Sequence, residues 1–361
     1  MLPGQPLDAD VPSAAAADVE ANATSNNATR DTDPELDGSF FAGRRFGRFS
    51  GLHHWLSFAM YIPAGVCLFT MRMLVALVVL LALILPAACC CRKHRGRSAH
   101  GCSGHRIIVG FFRSALMSVE VVRRHQTHGS SPVLDAVDAR VIVSNHVSEA
   151  DYLPIASCFD VRVVAMDYIE RVPVVGSLLK VVDPIYIGQV GNAQSAKFQP
   201  NEAMRYKAAQ RERLQAATLE SCTEDGDRGS PPAILIFPEG VLTNGHQAVL
   251  KYQQFIFSLG LTVQPLAIRR SAPAIQRRFF PVDHDAATAS FMTNVLWMFF
   301  MPQAHYEITV LPQMTCGAAE AATEFADRVQ AATAEALGLL PSRWSNRDKN
   351  AYVQEHWIQQ P

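Results

Sequence analysis

The sequence predicts an α/β protein: a mixed, mostly parallel sheet flanked by helices and preceded by an N-terminal hydrophobic membrane hairpin. Three observations lead to this prediction. Short apolar strand patterns alternate with helical patterns from residue 140 onward, which is typical of α/β domains. A long apolar segment lies between residues 55 and 91, with basic residues on both sides. Polar motifs follow directly after predicted strands, where open α/β sheets place their ligands.

Composition excludes several classes of protein. The 361 residues are 49% hydrophobic and 18% charged, which excludes a disordered or collagen-like chain. The formal net charge of −1 gives no support to nucleic-acid binding, so no nucleic-acid partner is expected. The eight cysteines show no C-x-x-C pair and no metal-ligand spacing. They indicate a reducing, cytosol-facing compartment, and no metal site is expected.

Charge is strongly segregated along the chain. Residues 1–38 carry eight acidic groups and one arginine, with almost nothing to bury, and are predicted to form a disordered acidic N-terminus. Residues 39–124 carry twelve basic groups and one acid, Glu120. This basic block surrounds the most apolar stretch, as expected beside an anionic membrane surface. Residues 39–100 are therefore assigned to a basic-flanked membrane anchor.

The apolar segment is too long for one perpendicular span. As a single helix, residues 55–91 would run roughly 55 Å against a hydrocarbon core of about 30 Å. Pro63, Gly65 and Arg72 are expected to divide the segment, with a strongly apolar second part at 73–91. Both basic flanks prefer the cytosol, which favours a hairpin that enters and leaves from the same side. The alternative is one span at 73–91 after an interfacial helix. Either S-palmitoylation or a simple helix end explains the triplet Cys89, Cys90 and Cys91.

The rest of the chain is predicted to alternate between helices and strands. The first element is an amphipathic helix at 107–122. Strands are predicted at 140–144, 161–165, 184–187, 233–237, 263–268 and 306–311. Helices are predicted from about residue 150 and at 174–182, 201–219, 291–301 and 320–337. Residues 317–361 are assigned to C-terminal amphipathic helices.

The first motif is S-N-H-V-S-E-A-D at residues 144–151, directly after a strand. Four residues separate His146 from Asp151 across a loop-to-helix turn. This spacing can bring the carboxylate onto the imidazole, fix its tautomer and stabilise the imidazolium. The imidazole could then take a proton from an alcohol. The alternative is a structural histidine beside a helix capped by Asp151.

Two further motifs also depend on predicted strands. Residues 237–240 read F-P-E-G, where Pro238 cannot continue a central ladder and Gly240 permits an unusual backbone angle. Glu239 is therefore expected at the sheet edge, facing whatever the loop surrounds, although a simple turn with an exposed Glu is the alternative. Pro265 lies inside a predicted strand with a basic end, which taken alone indicates an edge strand.

In this order, and after a membrane anchor, these pieces resemble the glycerophospholipid acyltransferase family. That family carries an N-H-x-x-x-x-D motif, a middle motif, F-P-E-G and a late strand with a proline. The resemblance covers roughly residues 107–316, and residues 101–316 are assigned to an acyltransferase-like domain. It implies that His146 is the general base and Asp151 its orienting partner, with no covalent enzyme intermediate. Acyl-CoA would be the co-substrate, a lysophospholipid the acceptor, and no cofactor would be bound. The implied substrate-binding residues are Asn145, Gln189, Glu239, Gly240, Thr243, Asn244 and Pro265.

The sequence departs from the family at two phosphate contacts. The stretch 172–188 is similar to the middle motif of lysophosphatidylcholine acyltransferases, but Gln189 stands where the family places an arginine. The segment after F-P-E-G also lacks the arginine of lysophosphatidate acyltransferases. Arginine grips phosphate through two charge-assisted hydrogen bonds and glutamine does not. These losses favour headgroup-bearing lysophospholipids as acceptors. They also support a second hypothesis, a membrane scaffold that keeps the fold with weak or no activity.

A second resemblance, to the ancient ubiquitous protein family, covers more of the chain. It includes the apolar run 55–86, the phrase T-N-G at 243–245, and the segments 263–266, 296–302 and 325–337. Members are monotopic hairpin proteins of the endoplasmic reticulum and lipid droplets, which implies the same locations here, with the active domain facing the cytosol. The chain reaches Pro361 soon after the acyltransferase-like region, so the family's C-terminal ubiquitin-binding region is not expected. Ubiquitin-pathway partners are possible but not supported.

Overall fold

A computed structural model describes residues 45–90, 103–123, 139–170, 184–188, 208–209, 212–219, 232–284 and 289–355. The strands are β1 (Met117–Arg123), β2 (Val141–Ser144), β3 (Val161–Met166), β4 (Ile185–Ile187), β5 (Ala233–Ile236), β6 (Ala248–Val249), β7 (Val263–Ser271), β8 (Ala304–Val310) and β9 (Leu340–Pro341). The helices are α1 (Leu52–Cys90), α2 (Ser103–Ala115), α3 (Tyr152–Ala156), α4 (Asp167–Glu170), α5 (Ala274–Phe279), α6 (Phe291–Phe300), α7 (Ala322–Leu337) and α8 (Asn346–Val353).

Seven of these strands form one sheet in the order β1-β8-β7-β2-β5-β3-β4, and β6 pairs with β9 separately. Neighbouring strands of the large sheet are parallel except for the antiparallel pair β7–β8. The predicted mixed, mostly parallel sheet is therefore confirmed. The predicted strands from residue 140 onward correspond to β2, β3, β4, β5, β7 and β8.

Helices cover both faces of the sheet. Every residue of β2 and β5 is buried, as expected for parallel strands with both faces covered. Val141 and Val143 pack with Phe325 of α7 on one face. Ile142 packs with Ile155 of α3 on the other. Full burial of an aromatic side chain such as Phe325 contributes roughly 1.5–3 kcal/mol.

The predicted helix at 107–122 was wrong in its second half. Helix α2 ends at Ala115, and β1 begins two residues later and pairs with β8. Val119 and Val121 alternate with polar residues in this stretch, and β-branched side chains fit a pleated surface better than a helix. Pairing with a neighbouring strand therefore overrides the helical spacing.

Strand β7 lies inside the sheet, between β8 and β2, and not at the edge that Pro265 taken alone suggests. The Pro265 carbonyl accepts the Leu311 N–H at 3.1 Å, just beyond the last β7–β8 pair. An ordinary residue here would return a bond to the Leu311 carbonyl, which proline cannot do. The Gln264 side-chain amide donates to that carbonyl instead. A neighbouring side chain thus makes an interior proline tolerable.

The N-terminal segment also differs from the predicted hairpin. Helix α1 runs without a break through Pro63, Gly65 and Arg72. Gly65 packs against α6 so closely that a Cβ there would lie 2.5 Å from Phe300 Cζ. The absence of a side chain therefore allows two helices to approach and does not mark a turn.

Arg72 likewise makes a contact with α6. Its guanidinium is buried and donates to the carbonyls of Phe299 at 2.9 Å and Met301 at 2.5 Å. The last carbonyls of a helix have no partner within that helix, and Arg72 supplies the missing donors. This contact explains why a charged residue sits within an apolar helix that does not turn.

Helix α1 has the composition of a membrane segment. Residues Leu52–Val79 are long and apolar enough to cross a membrane. Most large apolar side chains on this stretch are exposed, including Leu56, Met60 and Val78. The core helix of a soluble protein would bury such side chains, so membrane association explains them better.

Several expectations lie outside the described residues. They are the acidic terminus 1–38, the helix at 174–182, Gln189 and Cys91, together with the side chains of Cys89 and Cys90. The predicted helix at 201–219 is described at 208–209 and 212–219, where it is helical. The predicted helices at 291–301 and 320–337 correspond to α6 and α7.

Candidate active site

His146 and Asp151 meet in the loop that follows β2. His146 Nδ1 lies 2.9 Å from Asp151 Oδ2, and the same oxygen accepts the backbone N–H groups of Val147 and Ser148 at 2.6 and 2.9 Å. The Ser148 hydroxyl donates to Asp151 Oδ1 at 2.6 Å. Asp151 is fully buried, whereas the His146 side chain is 23% exposed. The loop therefore wraps the carboxylate completely and leaves part of the imidazole open.

This arrangement differs from a helix cap. Asp151 directly precedes α3, but its side chain makes no capping hydrogen bond to that helix. The carboxylate turns back onto the loop that carries His146. A neutral imidazole that donates Nδ1–H to this carboxylate keeps Nε2 unprotonated, as a general base requires.

Glu239 of the F-P-E-G loop, which follows β5, contacts the histidine loop, which follows β2. Its side chain is fully buried, with Oε1 accepting the His146 N–H at 2.7 Å and Oε2 accepting the Leu250 N–H at 3.0 Å. Glu239 does not line the cavity onto which the His146 side chain opens. Glu239 was expected to help form the acceptor site, but its carboxylate fixes the backbone of the histidine loop and does not face the cavity.

Burial governs the charge of this carboxyl group. Loss of solvent raises the pKa of Glu239 to about 8, against the lowering effect of the two N–H donors and of Lys349. Lys349 belongs to α8 and is itself buried, and its ammonium group donates to the Leu242 carbonyl. The C-terminal helix thus helps to hold the F-P-E-G loop in place.

Phe237 and Gly240 bring the same loop against the imidazole. The Phe237 ring stacks on His146 with 4.2 Å between ring centroids and 16° between planes. Gly240 has a φ of 70°, and a Cβ there would lie 2.1 Å from Gln253 Nε2. Glycine avoids both the strained backbone and this clash. Phe237 fixes the plane of the ring, a role that the sequence analysis did not assign.

Three other predicted site residues are placed as supports. Asn145 donates to the Ile268 carbonyl at 2.9 Å and accepts its N–H at 2.8 Å, which ties the loop to β7. Thr243 donates its N–H to the His146 carbonyl at 2.9 Å. Pro265 is buried within β7. None of the three lines the cavity beside His146.

The imidazole opens onto a cavity of about 600 Å³. Its walls are mostly apolar and include Phe112 of α2, Leu153 of α3, Val163 of β3, and Trp297 and Met298 of α6. A cavity of this size can hold a drug-sized or larger ligand, with the few polar groups fixing its orientation. It extends from the dyad to the helix that packs against α1.

A polar network that the sequence analysis missed lies on the cavity wall. Glu149 contacts His284 Nε2 at 2.7 Å and accepts the Asn294 amide at 2.6 Å. Arg45 donates to Asn294 at 2.8 Å and lies 4.6 Å above the Trp297 ring. Burial alone would raise the pKa of Glu149, but His284 and Asn294 outweigh it and lower the pKa. No sequence spacing links these residues, because they come from four separate segments.

Asn244 faces another cavity, and the described residues bring no three histidine, cysteine or acidic side chains together as a metal-binding group. The Asn244 side chain accepts the His246 N–H at 3.0 Å, which shapes the turn after F-P-E-G. Of the predicted substrate-binding residues, Gly240 alone lines the cavity beside His146 among those that the structure describes.

The Acyltransferase family model matches residues 124–269. The "Lipid droplet-regulating VLDL assembly factor AUP1" of Danio rerio is 32% identical over 33% of this chain and 27% of its own length. The human protein of that name is 32% identical over 34% of this chain and 28% of its own length. A "Glycerol-3-phosphate acyltransferase 3-like" protein of Danio rerio is 31% identical over 35% of this chain and 27% of its own length.

The similarity to these relatives is confined to part of each protein. The chain spans less than a third of their length. A crystal structure of the 1-acyl-sn-glycerophosphate acyltransferase PlsC from Thermotoga maritima aligns with 78% of this chain and 98% of its own, at 14% identity and a TM-score of 0.45. The family match contains both the histidine loop and F-P-E-G. The region that carries both motifs therefore matches the Acyltransferase family, and about a third of the chain is similar to AUP1 proteins.

Proposed function

We propose that this protein transfers an acyl group from acyl-CoA to the hydroxyl of a lysophospholipid or a related glycerolipid. The observation that carries the proposal is the His146–Asp151 pair, with 2.9 Å between Nδ1 and Oδ2, at the wall of a large apolar cavity. A carboxylate-oriented imidazole beside a lipid-sized cavity is what proton abstraction from an alcohol requires.

The reaction follows from the position of the dyad. His146 Nε2 takes the proton of the acceptor hydroxyl as its oxygen attacks the thioester carbonyl carbon. The buried carboxylate of Asp151 stabilises the imidazolium that forms. The tetrahedral adduct then expels the CoA thiolate, which receives the proton from the imidazolium. An ester and free CoA result, and the enzyme returns to its starting state without a covalent intermediate.

The surroundings of the dyad support this role through orientation. Phe237 limits rotation of the imidazole, and Glu239 holds the His146 backbone from the far side. These groups act as positioning residues, because neither needs to touch substrate. The apolar cavity wall towards Trp297 suits an acyl chain, whose burial stabilises the complex by about 0.8 kcal/mol per methylene.

Release of CoA thiol by the purified full chain in detergent micelles tests the proposal. The assay supplies acyl-CoA and a panel of lysophospholipids, and compares wild type with His146→Ala. His305→Ala is a matched control, because His305 is 40% exposed on β8 and outside the cavity. We expect His146→Ala to lose activity by at least about 10³-fold and His305→Ala to retain it. Activity that survives in His146→Ala would contradict the assigned base.

A second candidate function is a membrane scaffold with weak or no catalytic activity. Two observations favour it: the family's phosphate-contacting arginines are missing, with Gln189 in one place, and the AUP1 relatives are named for lipid droplet regulation. If none of the acceptors in the panel is acylated, and if His146→Ala leaves lipid droplet binding unaffected, this function is favoured over catalysis.

We also propose that the protein resides at the endoplasmic reticulum membrane or the lipid droplet surface, with the cavity towards the cytosol. Basic residues on both flanks of α1 support a cytosolic position of both ends, which an unbroken helix reaches by lying along the membrane surface without crossing it. Protease accessibility of the two flanks in intact microsomes measures this directly. Cleavage at both flanks is expected, whereas a protected N-terminal flank would show that α1 crosses the membrane.

A further inference from the structure

A second cavity lies on the other side of the histidine loop. It has a volume of about 400 Å³, within the range of small-molecule sites. Its lining includes Val147, the residue after His146, and the turn Asn244–Gly245 that follows F-P-E-G. Gly245 has a φ of 67°, and a Cβ there would lie 2.7 Å from Val147 Cγ1. The turn at Gly245, which lines this cavity, therefore packs directly against the histidine loop.

The lining of this cavity is strongly basic. Its arginines are Arg48, Arg269, Arg270 and Arg277, and its histidines are His246 and His284. Asp283 is the one carboxylate among the lining residues, and it pairs with Arg48 at 2.9 Å. No ion pair with a carboxylate is found for Arg269, Arg270 or Arg277 among the described residues, although the Arg269 guanidinium donates to the Leu337 carbonyl and Arg270 is hydrogen-bonded to Tyr306. A cleft lined by charges of one sign concentrates ions of the opposite sign.

The basic lining changes the pKa of Asp283, the one carboxylate among the described residues that line this cavity. Burial alone would raise the pKa of Asp283, but His246, Arg48 and Arg270 outweigh it and lower the pKa. Positive potential therefore dominates the cavity. Arginine in particular matches phosphate, because its planar guanidinium donates two parallel hydrogen bonds.

The basic cavity shares a wall with the catalytic one. Five residues line both: Arg270, Ala272, Val282, Asp283 and His284. A group bound in the basic cavity would lie next to a substrate at the dyad.

We propose that this basic cavity binds a phosphate group of a substrate, carried either by the soluble acyl donor or by a lipid headgroup. The inference deepens the proposed function and rests on it for the role of the ligand. Phosphate binding itself needs no turnover, so it can be measured where catalysis is abolished.

The test uses the full chain in zwitterionic detergent micelles. Adenosine 3′,5′-bisphosphate, which carries phosphates of the CoA nucleotide, is titrated as the soluble probe. In a separate arm without detergent, which would dissolve them, phosphatidylcholine vesicles with and without phosphatidate are the lipid probe. The variant Arg277→Glu is compared with Arg278→Glu, which makes the same charge change on the adjacent residue of α5. Both side chains are exposed, but Arg278 lies outside the cavity, against Phe279.

We expect Arg277→Glu to weaken binding of one probe by at least about tenfold and Arg278→Glu to weaken it less than about twofold. Loss of bisphosphate binding identifies the acyl donor as the source, and loss of phosphatidate-dependent vesicle binding identifies a headgroup. If Arg277→Glu and Arg278→Glu weaken vesicle binding equally, the attraction is a general one between basic residues and the membrane, and the proposal is overturned. The proposal is also overturned if the protein binds neither probe.

Repeating the titration with His146→Ala separates this inference from the catalytic proposal. Binding that persists in this variant, even if no acceptor is ever turned over, keeps the phosphate site. A melting temperature within error of wild type in both arginine variants verifies that they fold. Turnover by a wild-type protein that binds neither probe would remove the phosphate site and leave the catalytic proposal intact.

Discussion

Replacement of Asp151 by asparagine separates the charge of the dyad from its geometry. Asp151 Oδ2 accepts three donors, from His146, Val147 and Ser148, and an asparagine oxygen in the same place can accept all three. The new amide nitrogen would stand where Oδ1 receives the Ser148 hydroxyl, which can rotate and accept. The Tyr306 hydroxyl, 2.9 Å from the Ser148 hydroxyl, can take part in that exchange. Asp151→Asn should therefore fold and keep the imidazole in place.

The expected loss of activity is electrostatic. Unit charges about 4 Å apart interact by about 4 kcal/mol at an effective dielectric constant of about 20. In the proposed reaction the imidazolium of His146 would lose this stabilisation, and about 4 kcal/mol corresponds to about 10³-fold in rate. The asparagine oxygen retains part of the attraction, so the expected loss of kcat/KM for Asp151→Asn is about 10²-fold.

The assay is CoA release under the conditions described above, with a thermal melt of each variant in parallel. Asp151→Ala is the contrasting change, because it leaves the buried N–H groups of Val147 and Ser148 without an acceptor. Each such loss costs about 1–3 kcal/mol, so this variant should lose stability as well as activity. Wild-type activity in a folded Asp151→Asn protein would refute a catalytic role for the carboxylate charge.

Three further predictions address stability. Arg72→Met leaves carbonyls at the end of α6 without donors, so the free energy of unfolding in micelles should fall by about 1–3 kcal/mol, and Arg72→Lys should restore part of it. Gly240→Ala and Gly260→Ala should each cost about 1–2 kcal/mol, because both have φ near 70° and the exposed Gln253 side chain can move away from a Cβ at 240; an unchanged melting temperature in either variant would contradict the backbone strain. Glu239 binds a proton more tightly when folded, with a pKa of about 8, so its contribution is present at low pH and is lost as pH rises through 8. Wild type should therefore lose about 2 kcal/mol of stability between pH 6 and pH 8 that Glu239→Gln does not lose, and parallel curves would refute the raised pKa.

The sheet could be predicted from sequence because its strands are short, apolar and bounded by turns. In β2 and β5, for example, the run of three or four consecutive apolar residues is enough to predict a buried strand. The second half of the first predicted helix failed because the deciding contact, β1 with β8, joins residues nearly two hundred positions apart. The edge strand that Pro265 suggested was wrong for a related reason. The Gln264 amide replaces the N–H that proline lacks, but it donates to Leu311, which lies on another segment.

The hairpin failed because the meaning of Gly65 and Arg72 depends on a helix that follows more than two hundred residues later. In isolation a glycine and an arginine interrupt an apolar helix. Against α6 they permit close packing and cap its carbonyls. The contact between His146 and Asp151, by contrast, could be predicted, because both residues belong to one loop and four residues separate them.

The site contains two kinds of residue, and only one kind can distinguish an enzyme from a scaffold. Asn145, Asp151 and Glu239 each satisfy buried backbone groups, so a chain without activity would still need them to fold. Their presence is therefore weak support for catalysis. The His146 imidazole is different: it is partly exposed, it lines the cavity, and the backbone donors around Asp151 remain paired without it. A fold that needed only a membrane scaffold would gain little from that imidazole, which is why wild-type activity that is lost in His146→Ala, at an unchanged melting temperature, decides for the enzyme, and absence of activity in the wild type decides for the scaffold.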